Sequence, residues 1–304
     1  MIQDIYPHRL QNQYNPTACA ALDSYIFVFQ GDELLCRIEE AKEANETENA
    51  ANEAEAERYF SLPRLSDFPE AMRPSAHDLT YLFSVDEKPY FLWEPSFSEA
   101  KPETAPIHAY SFCSIRALRD QHAEPKHLIF AAITAKQLAD WYQNNRFCGR
   151  CGHRTVLDDR ERAIRCKCCG NLVYPKIVPA VIVGVINKDQ ILLTKYRTGF
   201  AHYALVAGFT EIGETLEETV AREVMEETGL RVKNIRYYKS QPWGIASDIL
   251  AGFYCDVDGN TEIRMDPNEL KYAAWTRRED IILQPDDFSL TNEMMQHFQD
   301  GEPC

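Results

Sequence analysis

Three carboxylates at helical spacing carry the strongest chemical signal in the chain. Glu223, Glu226 and Glu227 lie at i, i+3 and i+4 in the stretch Gly208–Leu230, GFTEIGETLEETVAREVMEETGL, so a helix there would put them on one face. Like charges so placed cost about 0.2–0.5 kcal/mol per pair in an isolated helix. A hard divalent cation held through carboxylate oxygens reverses that sign. Mg²⁺ is commonly held by few carboxylates plus substrate phosphates, so the arrangement predicts a phosphate ester or anhydride as substrate. A solvated acidic helix face is the blander reading, and Glu-x-x-Glu-Glu alone would favour it. The wider pattern G-x5-E-x7-R-E-V-x-E-E-x-G-L fixes Gly208, Glu214, Arg222 and Gly229 as well, and that pattern favours the metal.

A second cluster is built from sulfur. Cys148-Gly-Arg-Cys151-Gly152 and Cys166-Lys-Cys168-Cys169-Gly170 are two C-x-x-C-G knuckles with fourteen residues between them. Four thiolates at Cys148, Cys151, Cys166 and Cys169 suit tetrahedral Zn²⁺ in a closed, structural site. A redox pair needs one C-x-x-C only, and an iron–sulfur cluster prefers other spacings. Cys168 is surplus, and His153 is left out because four thiols are already available. Cys19, Cys36, Cys113, Cys255 and Cys304 are isolated and read as ordinary thiols.

The elements that must position these groups are legible on either side of them. Thr215 and Glu218 have the form of a capping box, so a helix is expected from near Leu216, and Gly229 can end it in the left-handed conformation. Val181–Ile186 and Ile191–Thr194 read as a hairpin leading to Ala207 and Gly208, and Val232–Tyr238 as a strand. Further upstream, Tyr25–Gln30 with Leu34–Ile38, and Thr80–Val85 with Pro89–Trp93, read as two more hairpins. Between those hairpins, Glu39–Arg58 holds eight Glu against Lys42 and Arg58, which predicts a solvated helix or loop inserted in a connection. Ile133–Asn145 reads as a helix through Leu138, Trp141 and Tyr142. His8, His77, His108, His122 and His127 are scattered without a catalytic constellation.

The stretch around the carboxylates resembles the Nudix box without a departure. That resemblance implies an α/β/α sandwich that hydrolyses a nucleoside diphosphate linked to another group, with Mg²⁺ or Mn²⁺. It implies Glu223, Glu226 and Glu227 as metal ligands, Glu227 as the residue that orients or deprotonates water, and Arg222 paired with Glu214 or Glu223. A zinc ribbon, Tyr174-Pro175 and then the box resembles the NADH pyrophosphatase family of Nudix hydrolases. Ser240-Gln-Pro-Trp243 matches the opening of that family's signature, but the chain continues Gly244-Ile-Ala-Ser-Asp248 where the family has Pro-Phe-Pro-x-Ser. The resemblance implies a dinucleotide site lined by Ala207, Phe209, Gln241, Trp243 and Tyr174, with Tyr174 reaching across a homodimer interface. Glu269 matches a further metal-serving acidic position; a carboxylate at a helix start is its alternative.

The 304 residues accommodate more than one domain. The expected organisation is an N-terminal α+β domain over 1–145 with the acidic insertion 39–58, a zinc ribbon over 146–176, and a Nudix domain over 177–304. The net charge of −15 argues against sequence-independent nucleic-acid binding and against an anionic membrane surface. No apolar core opens the chain as a signal peptide would, so the expectation is a cytoplasmic enzyme with reduced cysteines. The expected reaction is hydrolysis of the NADH or NAD⁺ pyrophosphate to nicotinamide mononucleotide and AMP. The alternatives are removal of the NAD cap from the 5′ end of RNA, or another dinucleotide such as ADP-ribose or diadenosine polyphosphate. A nucleotide-sensing regulator could lose a box carboxylate, and none is missing.

Overall fold

A computed structural model describes residues 1–40, 58–94, 107, 109–120, 123–199 and 201–304. The chain divides into two compact units, Asp4–Lys176 and Met1–Gln3 with Ile177–Cys304.

In the first unit, Leu10–Gln11, Leu79–Val85, Lys88–Trp93 and Tyr25–Phe27 form one sheet in that spatial order. The strand expected over Tyr25–Gln30 is split at Val28. Tyr25–Phe27 pairs in parallel with Lys88–Trp93, whereas Phe29–Gln30 turns back on Glu33–Glu40 in a second sheet. Val28 is fully buried at the switch, among Ile26, Leu35, Phe68 and Phe91. The helix expected from Ile133 starts earlier and runs Lys126–Asn144, because Leu128, Ile129, Ala131 and Ala132 extend its buried face. The acidic insertion joins Glu33–Glu40 to its antiparallel partner Arg58–Ser61; residues 41–57 lie outside the described residues, as do His108 and His122. A three-stranded sheet of Thr155–Leu157, Ile164–Cys166 and Leu172–Val173 makes the cysteine module.

The second unit is a six-stranded mixed sheet between two helices. Its elements are β1 (Val178–Asn187), β2 (Gln190–Tyr196), β3 (Val206–Phe209), α1 (Leu216–Thr228), β4 (Val232–Trp243), β5 (Asp248–Val257), β6 (Leu270–Arg277) and α2 (Leu290–Gln299). The order is β4-β5-β1-β2-β6, with β3 paired to β1. β1 runs parallel to β5, and the other pairs are antiparallel. Val181, Val183 and Val185 face Val220 and Val224 of α1, while the intervening Ile182 belongs to the opposite core with Leu290, Met294, Met295 and Phe298 of α2. A strand covered on both faces reads as an unbroken apolar run, which is why β1 does. Met1–Gln3 returns to this unit: Ile2 is buried and its N–H donates to the Phe288 carbonyl at 3.0 Å. The α/β/α sandwich expected for this region is the architecture found.

Candidate active site

Helix α1 begins and ends where its caps place it. Thr215 Oγ1 accepts from the Glu218 N–H at 3.2 Å, and the Glu218 carboxylate accepts from the Thr215 N–H at 2.8 Å. Gly229 closes the helix at φ 69°, donating to the Met225 carbonyl, a conformation that costs glycine little.

Arg222 organises the helix face. Its Nε and Nη2 donate to the two Glu214 oxygens at 2.6 and 3.0 Å, and its Nη1 donates to Glu223 at 2.7 Å and Glu226 at 3.1 Å. A further Nη2 bond reaches the Phe209 carbonyl at 2.8 Å. A guanidinium has five donor hydrogens, and five acceptors surround this one. The Arg222 hydrogen bonds hold the Glu214 carboxyl down at about 2. Phe209 thereby has its backbone fixed by the helix that carries the carboxylates.

Glu223 and Glu227 are turned inward, and Glu226 is exposed. Gly208 is the floor beneath Glu223: a Cβ built there would fall 1.9 Å from the Glu223 carboxyl carbon, closer than any tolerated contact. Gly208→Ala must therefore push the carboxylate away. We expect kcat/KM to drop by about 10²-fold or more, the scale of an ångström-sized misplacement, with the melting temperature showing that the sheet survives. Near-normal kinetics would disprove the floor role.

Glu227 is only 2% exposed, and its Oε2 is buried with no hydrogen-bond partner. Burial, followed by the charges of Glu269 and Glu223, pushes its carboxyl up to about 8, against a hydrogen bond from the Ala207 amide. Burial also raises Glu223, opposed by Arg222. Glu269 is exposed in the turn before β6, and its charge acts on both carboxyls. Tyr196, at the end of β2, stands among Glu227, Glu223 and Glu269, with its phenol raised by burial. The strand runs past its expected end at Thr194 and reaches Tyr196 through a bulge after Lys195.

A buried, unpaired carboxylate oxygen beside two more carboxylates fits a hard divalent cation, and Glu223, Glu226, Glu227 and Glu269 are the residues that would hold it. Among the described residues, three potential ligand atoms approach within 4.8 Å of one another only in the cysteine module. The carboxylates stand wider apart, with Glu223 and Glu226 drawn onto Arg222.

The other expected substrate residues divide. Ala207 and Phe209 lie on β3, Ala207 with its amide toward Glu227 and Phe209 about half exposed. Trp243 is half-buried at the end of β4, paired in register with Asp248. The expected contact between Gln241 and a dinucleotide is not available to this side chain. Gln241 is fully buried; its amide nitrogen donates to Gln3 at 3.0 Å and the Phe288 carbonyl at 2.7 Å, and its oxygen accepts from the Leu290 N–H at 2.7 Å. The side chain ties β4 to the start of α2 because the Ser240–Trp243 segment continues the strand instead of leaving it. Tyr174 is in the first unit, exposed, donating to Glu161 at 2.9 Å.

In the cysteine module, all four sulfurs of Cys148, Cys151, Cys166 and Cys169 lie within 4.8 Å of one another, with Cys148–Cys169 at 3.6 Å and Cys151–Cys166 at 3.4 Å. A zinc–sulfur bond of about 2.3 Å gives a tetrahedral edge of about 3.8 Å, so the cage fits the ion. Backbone amides of Arg150 and Cys151 point at Cys148 and hold its thiol down at about 6. Gly152 and Gly170, at φ 75° and 73°, make the turns that aim such amides.

Comparison with known proteins agrees with both centres. Residues 176–298 match the NUDIX domain, and residues 143–174 match the NADH pyrophosphatase zinc ribbon domain. A relative in Citrobacter koseri, called NAD-capped RNA hydrolase NudC, is 42% identical over 175 residues, which are 57% of this chain and 66% of the relative. A protein of the same name in Enterobacter sp. is 45% identical over 152 residues, 49% of this chain and 58% of its own length. The chain thus matches less than two thirds of either relative's own length. Among solved structures, a NUDIX hydrolase from Nitrosomonas europaea aligns over 52% of this chain and 95% of its own, with 20% identity and a TM-score of 0.45.

Proposed function

We propose that this chain, which belongs to the Nudix hydrolases and carries their NADH pyrophosphatase zinc ribbon, hydrolyses the pyrophosphate of NADH or NAD⁺ to nicotinamide mononucleotide and AMP. The observation that carries the reading is the buried Glu227 carboxylate, one of whose oxygens has no hydrogen-bond partner, at the centre of an intact box. Mg²⁺ or Mn²⁺, when bound, supplies charge neutralisation at the phosphates and a more acidic water. Glu227 takes the proton from the attacking water, Glu223 and Glu226 hold their oxygens where Arg222 sets them, and Glu269 adds charge from the facing turn. Phe209, half exposed beside the box, gives a ring for a base to stack on, worth roughly 1–3 kcal/mol and enough to prefer a dinucleotide to bare pyrophosphate.

Turnover on NADH, ADP-ribose and diadenosine polyphosphates tests the substrate. The highest kcat/KM is expected on NADH, and equal or lower values there would defeat the assignment.

The names of the relatives favour a second substrate for the same chemistry, the NAD cap of RNA. With a net charge of −15, contact is confined to the terminal nucleotides, so decapping should depend weakly on salt; a steep salt dependence would contradict that confinement. No helix among the described residues is long and apolar enough to cross a membrane. A cytoplasmic homodimer is the assembly in which we place the enzyme, and sedimentation at monomer mass would refute the dimer.

A further inference from the structure

Two residues that the four-sulfur cage leaves over lie together at its rim. A nitrogen of His153 and the sulfurs of Cys151 and Cys168 all fall within 4.8 Å of one another, and both His153 and Cys168 are exposed. His153 Nδ1 lies 3.1 Å from the Cys151 carbonyl. A carbonyl can only accept, so Nδ1 is the donor in this contact and the neutral ring has its lone pair on Nε2. That is the tautomer a metal-binding histidine needs, fixed by the backbone-carbonyl bond that ordinarily orients such ligands.

We propose that Cys151, His153 and Cys168 form a second site for a borderline-soft divalent ion, beside the structural zinc and sharing the Cys151 thiolate with it. Two sulfurs and an imidazole suit Zn²⁺ or Cd²⁺ and are a poor match for Mg²⁺. Electrostatics favours the addition: four thiolates around one Zn²⁺ leave two negative charges in excess, which a second cation beside them offsets. Three protein ligands leave one position open to solvent, so this ion is held more weakly than the enclosed one and exchanges first. The site explains why a cysteine that the C-x-x-C spacing does not use sits within reach of a ligand that it does use.

The test is Cd²⁺ binding to the zinc-loaded protein at equilibrium in excess Mg²⁺, which keeps the box carboxylates occupied, followed by thiolate-to-cadmium charge-transfer absorption and by total metal analysis after dialysis at constant free Cd²⁺. The expected result is one Zn²⁺ and one Cd²⁺ per chain, with the Cd²⁺ lost in both Cys168→Ser and His153→Ala while the zinc is retained. Both side chains are exposed, and retained zinc shows in the same sample that the module is still folded. Cd²⁺ that merely displaces the zinc, leaving one ion per chain, overturns the proposal. So does Cd²⁺ binding that survives in either variant, which would place it on thiols elsewhere in the chain.

Discussion

Glu227→Gln gives a folded protein whose kcat on NADH, the proposed substrate, is lower by about 10²–10⁴-fold, the range that a general base contributes. The substitution keeps the shape of a side chain that is almost wholly buried, so its effect is chemical. A second readout separates that from damage to the fold. With its carboxyl at about 8 in the folded protein against an ordinary 4.5, the folded state binds the proton more tightly than the unfolded chain does. Its stabilising contribution is therefore complete below pH 4.5 and is lost as pH rises toward 8. Without added Mg²⁺ or Mn²⁺, stability should fall across that window, by no more than about 1.4 kcal/mol per pH unit for one proton. The glutamine variant should lack that part of the slope and be at least as stable as the parent at pH 8. A variant with near-normal turnover would remove Glu227 from its role, and an unchanged slope would show that its carboxyl is not the group being titrated.

Cys166→Ser should abolish stoichiometric zinc and unfold the module around residues 146–174. Cys166 is buried at 1% exposure, with backbone amides of Cys169 and Cys168 aimed at its sulfur. The three short strands here bury little apolar area; Val156 and Leu157 are exposed. Metal binding in such domains is worth on the order of 10 kcal/mol and is inseparable from folding. Metal analysis with limited proteolysis checks this: the parent should resist, and the variant should be cut between Phe147 and Tyr174. Full zinc content with unchanged resistance would mean that the cage does not hold the module together.

What could be read in advance was whatever depends on short spacing. The α1 caps, the carboxylate face and the four-sulfur cage rest on residues a few positions apart, where backbone geometry determines which side chains meet. Contacts between distant segments were not legible. Nothing near Gln241 announces that its amide will meet Gln3, Phe288 and Leu290, and a polar residue in a signature invites a ligand-binding role until its partners are seen. Tyr196 was missed for a related reason: Thr194 and Lys195 look like the end of an apolar strand, yet pairing with β6 carries β2 on to Tyr196 through a bulge. The split at Val28 likewise depends on a parallel partner more than sixty residues away.

The first three residues have a consequence for how the chain can be divided. Because they pack with residues 177–304, the unit from Asp4 to Lys176 is a guest spliced into its host, tethered covalently at both ends. A nick after Lys176 would leave the two fragments clasped through the Ile2–Phe288 and Gln3–Gln241 hydrogen bonds, and a fragment expressed from Ile177 alone would lose both, leaving the Gln241 amide short of a partner. Restoring the tripeptide, by peptide added in trans or by circular permutation, is the way to make that half stand alone.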